Sequence, residues 1–411
     1  SVSATPITSP NKLSSLFSQR FAFQLRFGSV ERTPLFTLEE MAVVVAGMVV
    51  VANGDDEWLV NSIASAVRTG IFTLPRAPRV ITPSNQVLWQ LHDDEARLLM
   101  RFSIPELTQL AVALRLPEHI ITSERDHVLS VQALALVCRR LAEPIRWSTL
   151  ESEFRRSGPS LCRLFYCTVG MLYANHRRRI FFNVGLVTAR MHEYCDAVRR
   201  KGSPLTTCWG FIDGTKQFIS RPGPRSHVTN ENLQRAVFNG HKRAHWFNWQ
   251  AIATPDGMCA SLYGPLEGRK HDSTMLTTSG VCPMMATYPT FDGKLIYGDA
   301  GYPVLEFVCA PFRAAELTIE QQAFNTQMTS IQYANECVSP ECGGAFKVHK
   351  ALWPHSCWRL KLKVRSAPVG KVFAVGMLLT NCHTCIKRGN QISDYFILSP
   401  PSLEDYLQWM A

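Results

Sequence analysis

Leu295-Ile296-Tyr297-Gly298-Asp299-Ala300-Gly301-Tyr302-Pro303 is the stretch on which the reading of this sequence turns. Lys294–Tyr297 has the short, apolar, bounded character of a buried strand, and it ends at Gly298-Asp299. The same pattern occurs upstream, where the apolar run Cys208–Ile212 ends at Asp213-Gly214. A carboxylate at a strand terminus is held by a rigid sheet yet stays open to solvent or metal. Two such ends on neighbouring strands can share divalent ions, since Mg²⁺ prefers hard oxygen ligands and needs only a few carboxylates. A two-ion site of that kind serves phosphoryl transfer. The competing reading is that Asp-Gly and Gly-Asp are turn residues.

Working outward, Trp249–Thr254 is a further strand, turned by Pro255-Asp256-Gly257 into Met258–Tyr263 as a hairpin. Ser273–Gly280 reads as a helix. Strands, helix, strand and more helix predict an α/β or α+β domain with a mixed sheet over residues 203–411, and α+β is taken as the fold class. Residues 95–202 read as helical. Ile104, Leu107, Leu110, Ala111 and Leu114 recur at helical spacing before Pro117, and Val131, Leu134, Val137, Cys138 and Leu141 share a second face. A short helix over Ser148–Phe154, a turn at Ser157-Gly158-Pro159 and a helix capped by Ser160 form a helix-turn-helix arrangement. Arg155, Arg156 and Arg163 lie around its turn, where DNA phosphates would be met; an ordinary helical bundle with solvated arginines is the alternative. His176-Arg177-Arg178-Arg179 and Arg199-Arg200-Lys201 are basic clusters with the character of solvated faces or linkers, and Gly202-Ser203-Pro204 marks an expected boundary. Residues 1–94, with the apolar run Met41–Ala52, form an N-terminal region of unknown role.

Composition narrows the function classes. The chain has 411 residues, 46% of them hydrophobic, which is the balance of a globular protein with two or three domains. Lys+Arg 43 against Asp+Glu 33 gives a net charge of +10, an excess that favours polyanions. Thirteen cysteines in no regular framework argue against a disulfide-stapled secreted fold and for a reducing compartment. Met41–Ala52 falls well short of the ~20 residues that span a bilayer, so no membrane association is expected.

Four ordered blocks add a family likeness. They are Ile212-Asp213-Gly214-Thr215, Phe238-Asn239-Gly240-His241-Lys242-Arg243, Gly268-Arg269-Lys270-His271-Asp272-Ser273 and Tyr297-Gly298-Asp299-Ala300-Gly301-Tyr302-Pro303. Together they resemble the nuclease domain of PIF/Harbinger-type transposases, the DDE superfamily endonucleases. The resemblance implies an RNase H-like mixed-sheet domain preceded by a helix-turn-helix-like segment. It also implies a DNA transposase that cleaves and joins phosphodiester bonds at transposon ends with two Mg²⁺ or Mn²⁺ ions, acting in the nucleus. Asp213 and Asp299 match the first two acids of the family's triad. Asp272 belongs to a matching block and is assigned a supporting role, with second metal ligand as its alternative.

The third acid departs from the pattern. Asn325 and Ser330 are present, but Gln332 stands where the family has Arg. Glu336 has family-like spacing, while the surroundings of Glu341 are more motif-like; Pro340 disfavours one helix through both. Glu336 is taken as the third catalytic and metal-binding acid. The altered segment also admits a catalytically impaired, transposase-derived DNA-binding protein. His241, Lys242 and Arg243, with Arg269 and Lys270, are read as DNA contacts against the alternative of solvated loops. Between Glu341 and Asp394 lies an acid-free basic tract, including Lys347, Lys350, Arg359 and Lys371, suited to a DNA backbone. Cys382-His383-Thr384-Cys385, with Cys337, Cys342, His349, His355 and Cys357 nearby in sequence, raises a zinc possibility, but its single CxxC lacks a partner pair at zinc-site spacing, so buried thiols are favoured. Expected partners are transposon terminal repeats and target DNA; a separate DNA-binding protein and a homo-oligomer are compatible with the resemblance.

Overall fold

In the computed structural model, residues 46, 56–68, 91–222, 232–240, 243–336, 344–357 and 368–408 are described. The chain divides into two units, residues 1–78 and 79–411. In the first, α1 (Asp56–Arg68) is described as an amphipathic helix. The expected core element at Met41–Ala52 lies outside the described residues apart from Ala46.

The sheet of the second unit is built around β3 (Cys208–Phe218). Its antiparallel neighbour is β5 (Ala244–Ala253), which pairs in turn with β6 (Cys259–Glu267). On the other side β3 pairs in parallel with β7 (Leu295–Gly298), and β7 with β8 (Val308–Cys309). The two-residue β4 (Phe238–Asn239) pairs with the start of β5, following the short helix α8 (Leu233–Val237). This is the mixed sheet expected of an RNase H-like α+β domain. Cys208, Trp209, Phe211 and Ile212 are all buried, as a central strand covered on both faces requires. The Pro255-Asp256-Gly257 hairpin and the β7 strand form where the apolar runs predicted them.

One expectation is corrected here. The β3 strand does not end at Asp213 but runs on to Phe218, because residues 211–218 keep their ladder with β5. Asp213 is instead the position at which the parallel neighbour stops, since the last β3–β7 pair is Ile212 with Gly298.

The helical part comprises α2 (Asp93–Met100), α3 (Ile104–Ala113), α4 (Ser130–Ala142), α5 (Trp147–Phe154), α6 (Gly158–Phe181) and α7 (Val184–Arg200). A small hairpin, β1 (His119–Ile121) with β2 (His127–Leu129), sits between α3 and α4. Ser103 opens α3 with a reciprocal capping box to Glu106. At α6 the expected cap is replaced. Ser160 lies inside the helix and donates to Asp126 at 2.8 Å, while the Glu151 carboxylate accepts from the Gly158 N–H.

The core crosses the expected boundary at residue 202. One apolar cluster joins Leu107, Leu134 and Leu164 of the helices to Trp249 and Leu262 of the sheet. Its middle is α14 (Val369–Lys387), reached after α11 (Ile319–Glu336), α12 (Gly344–Leu352) and α13 (Pro354–Cys357). Phe373 of α14 stacks on Trp249 with centroids 4.6 Å apart, and burying such a ring contributes roughly 1.5–3 kcal/mol. By length and composition α14 could cross a membrane, but most of it is buried within this core. The chain then finishes its described part with α15 (Gln391–Phe396) and α16 (Leu403–Gln408).

A buried ionic cluster fastens α7 to the hairpin. Asp256 is fully buried, with Arg190 Nη1 at 2.6 Å and the Tyr194 hydroxyl donating to it at 2.8 Å. Asp256 looks like a turn residue in the sequence, yet here it is the anchor of the helix–sheet contact.

Candidate active site

Backbone pairing brings the two strand acids together. Ile212 and Gly298 face each other across the parallel β3–β7 ladder, so Asp213 and Asp299 follow side by side on strands about 4.8 Å apart. Asp299 then folds back, its Oδ1 accepting from the Gly301 N–H at 2.8 Å. Asp213 Oδ1 accepts from the Gly214 N–H at 2.7 Å. Both acids line a cleft of about 370 Å³ together with Asp272.

Asp272 opens α9 (Asp272–Ser279), which ends at Gly280 and passes into α10 (Val281–Met285). Two glycines make room for its carboxylate. A Cβ on Gly214 would stand 2.7 Å from Asp272 Oδ1. A Cβ on Gly301 would stand 2.9 Å from both Asp272 Oδ2 and Asp299 Oδ1. Two oxygens that share one such point lie close enough to answer to common cations, since paired metal ions in phosphoryl-transfer sites sit ~3.5–4 Å apart.

Electrostatics agree with that proximity. Burial raises the Asp272 carboxyl above its ordinary pKa, the Asp299 charge adds to the rise, and Lys216 and His271 oppose it. The buried Tyr302 hydroxyl is raised as well, by burial and then by Asp272, Asp213 and Asp299 in turn.

The rim of the cleft is basic. Lys216, Arg269, Lys270 and His271 line it, with Asn239, Trp246 and Asn248. Asn248 Nδ2 donates to the Lys270 carbonyl at 2.8 Å and its Oδ1 accepts from Trp246 Nε1 at 2.9 Å, which pins the Gly268–His271 loop to β5. The Lys216 ammonium lies 5.2 Å from the Trp246 ring centroid.

Among the described residues no three His, Cys, Asp or Glu side chains already form a single-ion cage. The donor chemistry still fits a divalent cation, because Mg²⁺ keeps several waters and is held by one or two carboxylates. A close Asp272–Asp299 pair with one pKa raised is the arrangement a cation between them would relieve.

The remaining predicted residues fall in different settings. Glu336 is the last residue of α11, whose side chain lies outside the described part, as does all of Glu341. Gln332, where the motif has Arg, is buried on the same helix. His241 and Lys242 lie outside the described residues; Arg243 is exposed, at φ 50°. Arg269 and Lys270 line the cleft, with Arg269 also paired to Glu267 at 3.1 Å.

The helix-turn-helix arginines are divided in use. Arg155 is exposed at the left-handed end of α5. Arg163 forms a 2.6 Å ion pair with the buried Asp126, and Arg156 donates to the His127 carbonyl at 2.9 Å. These two hold the β1–β2 hairpin onto α6, so any phosphate contact would compete with those bonds. Of the zinc candidates, Cys382 and Cys385 are buried free thiols, and His349 is bonded to Thr380 and Ser356. Cys337 and Cys342 lie outside the described residues, as does the Cys357 side chain.

Asp272, given a supporting role from the sequence with metal ligand as its alternative, lines the same cleft as Asp213 and Asp299; Lys216, Asn248 and the two glycines were not singled out. The available signal for Asp272 was an acid at the first turn of a predicted helix, directly after a basic run.

Residues 212–381, less than half of the chain, match the family model described as DDE superfamily endonuclease. The match begins just before Asp213 and encloses Asp272 and Asp299. No curated protein and no solved structure matches the chain significantly.

Proposed function

We propose that this protein is a DNA transposase of the PIF/Harbinger type, an endonuclease that cuts and joins phosphodiester bonds at transposon ends. The observation that carries the reading is the Ile212–Gly298 register, which sets Asp213 beside Asp299 in a cleft where Asp272 meets Asp299. The family match over residues 212–381 supports the nuclease class.

Asp213 and Asp299, joined by Asp272, are the residues that would hold divalent ions, with Glu336 as the expected further acid. The chemistry that Mg²⁺ or Mn²⁺ supplies when bound in paired sites is activation of the attacking oxygen and stabilisation of the leaving one. The protein's own part is positioning. Lys216, Arg269 and Lys270 draw the phosphodiester into the cleft, and Gly214 and Gly301 leave room for the Asp272 and Asp299 carboxylates beside each other. The carboxylates balance cation charge and do not serve as acid or base. Arg155 and Arg243, both exposed, are proposed backbone contacts. The substrate and its intracellular setting follow: terminal-repeat and target DNA, in the nucleus.

The test is cleavage of terminal-repeat DNA with Mg²⁺ or Mn²⁺ by the full chain and by Asp213→Asn and Asp299→Asn. Cleavage by the wild type and its loss in both variants is expected; undiminished cleavage by either variant would overturn the assignment. A second reading rests on the buried Gln332 in place of Arg: a DNA-binding protein derived from a transposase and impaired in catalysis. It predicts salt-sensitive DNA binding with no metal-dependent cutting by the wild type.

A further inference from the structure

A second cleft, of about 450 Å³, lies on the other face of the sheet. Side chains alternate along a strand, and on β5 Asn248 lines the carboxylate cleft while the adjoining Trp249 lines this one. Its other walls include Tyr173, Arg177, Arg178, Phe181 and Tyr263. Among the described residues no Asp or Glu lines it. The Lys371 ammonium stands 5.7 Å from the Tyr173 ring centroid and adds a third cation.

The cleft is built rather than incidental. The cluster His176-Arg177-Arg178-Arg179 divides by helical position. Arg179 is buried, bonded to His176 Nδ1 at 2.6 Å and to the Leu407 carbonyl. Arg177 and Arg178 are exposed, and neither has an ion pair among the described residues. Phe181 meets Tyr263 edge to face at 6.2 Å, and the Tyr263 hydroxyl donates to the Thr278 carbonyl at 3.0 Å, which fixes that wall.

Aromatic walls with cations and no acid select a ligand with a flat π face and negative charge. An acidic peptide would satisfy the arginines and leave the rings unused. A duplex offers phosphates but keeps its base faces stacked inward. We infer that this cleft binds an unpaired nucleotide, its base against the aromatic wall and its phosphate on Arg177 and Arg178. The volume falls in the ~300–1,000 Å³ range of small-ligand pockets. The ligand is either a free nucleotide or one residue of a single strand, and it is held whether or not the carboxylate cleft cuts DNA.

The test uses the full chain without divalent metal and a fluorescent single strand of about ten nucleotides carrying iodouridine. Photocross-links mapped by mass spectrometry should fall on Tyr173, Phe181 or Tyr263. Tyr173→Ala should weaken binding about tenfold, within the range for loss of one base–aromatic stack, and Tyr173→Phe should restore it. Arg177→Ala with Arg178→Ala should lower the salt slope by about 0.7 for each phosphate no longer neutralised. Asp299→Asn should leave these cross-links in place. Excess deoxyadenosine monophosphate, with inorganic phosphate as control, distinguishes the sources: displacement of the strand identifies a free nucleotide, and persistence identifies a strand. Cross-links confined to other regions would overturn the inference, as would wild-type affinity in both the Tyr173→Ala and the double-arginine variants.

Discussion

Gly301→Ala is the sharpest test of the carboxylate cleft, because the three atoms nearest the added methyl all belong to Asp272 and Asp299. Its Cβ would sit 2.9 Å from Asp272 Oδ2 and from Asp299 Oδ1. Ordinary contact needs ~3.5 Å or more, so each carboxylate, or the loop between them, must yield about 0.6 Å. Displacements approaching 1 Å in a reacting array cost up to ~100-fold in rate, so cleavage should fall roughly ten- to a hundredfold. Stability should barely change, since Gly301 is exposed and its backbone lies outside the left-handed region. The comparison is Gly170→Ala in the middle of α6, where an added Cβ meets nothing within 4 Å. Relief from glycine in a helix interior should stabilise that variant by roughly 0.5–1 kcal/mol and leave cleavage untouched. Plasmid nicking rates with Mg²⁺, Mn²⁺ titration calorimetry and urea midpoints on both variants give the answer. Wild-type cleavage and Mn²⁺ binding by Gly301→Ala would refute the claim that Asp272 and Asp299 act on shared ions.

Other consequences follow from particular side chains. Because burial and then Asp299 raise the Asp272 pKa, its charged form disfavours the fold at neutral pH, so Asp272→Asn should raise the urea midpoint near pH 7 while lowering divalent-ion affinity. In Asp299→Asn the Asp272 titration, followed by carboxyl carbon chemical shift, should move down toward the usual carboxylate range. Arg190→Ala strands the fully buried Asp256 carboxylate and should cost about 3–5 kcal/mol, read as a shifted denaturation midpoint; a loss below about 1 kcal/mol would count against the helix–hairpin anchor. His176 and His349 are buried with pKa values depressed by burial to about 4 and about 3. Neutral imidazole favours the fold, so their contribution is complete above pH ~6.5 and is lost as pH falls toward those depressed values. Urea midpoints taken from pH 7 to 4 should therefore decline steeply, and His349→Gln should flatten the decline.

The legible part of this protein was its local pattern. Period-3.6 apolar spacing located α3 and α4, and the Pro255-Asp256-Gly257 turn between two apolar runs located the β5–β6 hairpin. Apolar runs stopping at Asp213 and Asp299 marked the site: Asp299 directly follows the end of β7, and Asp213 directly follows the last β3 residue paired with β7, although β3 itself runs on. Four blocks in order supplied the nuclease reading, which the match over residues 212–381 supports. What no local pattern carries is register and long-range partnership. The continuation of β3 to Phe218 depends on the ladder with β5, and the juxtaposition of Asp213 with Asp299 depends on Ile212 meeting Gly298 and not a neighbour. Arg163, read as a phosphate contact, pairs with the buried Asp126 of the β1–β2 hairpin, a partnership that lies too far apart in the chain for any local pattern to show. Asp272 joined the site through two absent side chains, Gly214 and Gly301, whose importance is steric and appears only when distant segments are packed together.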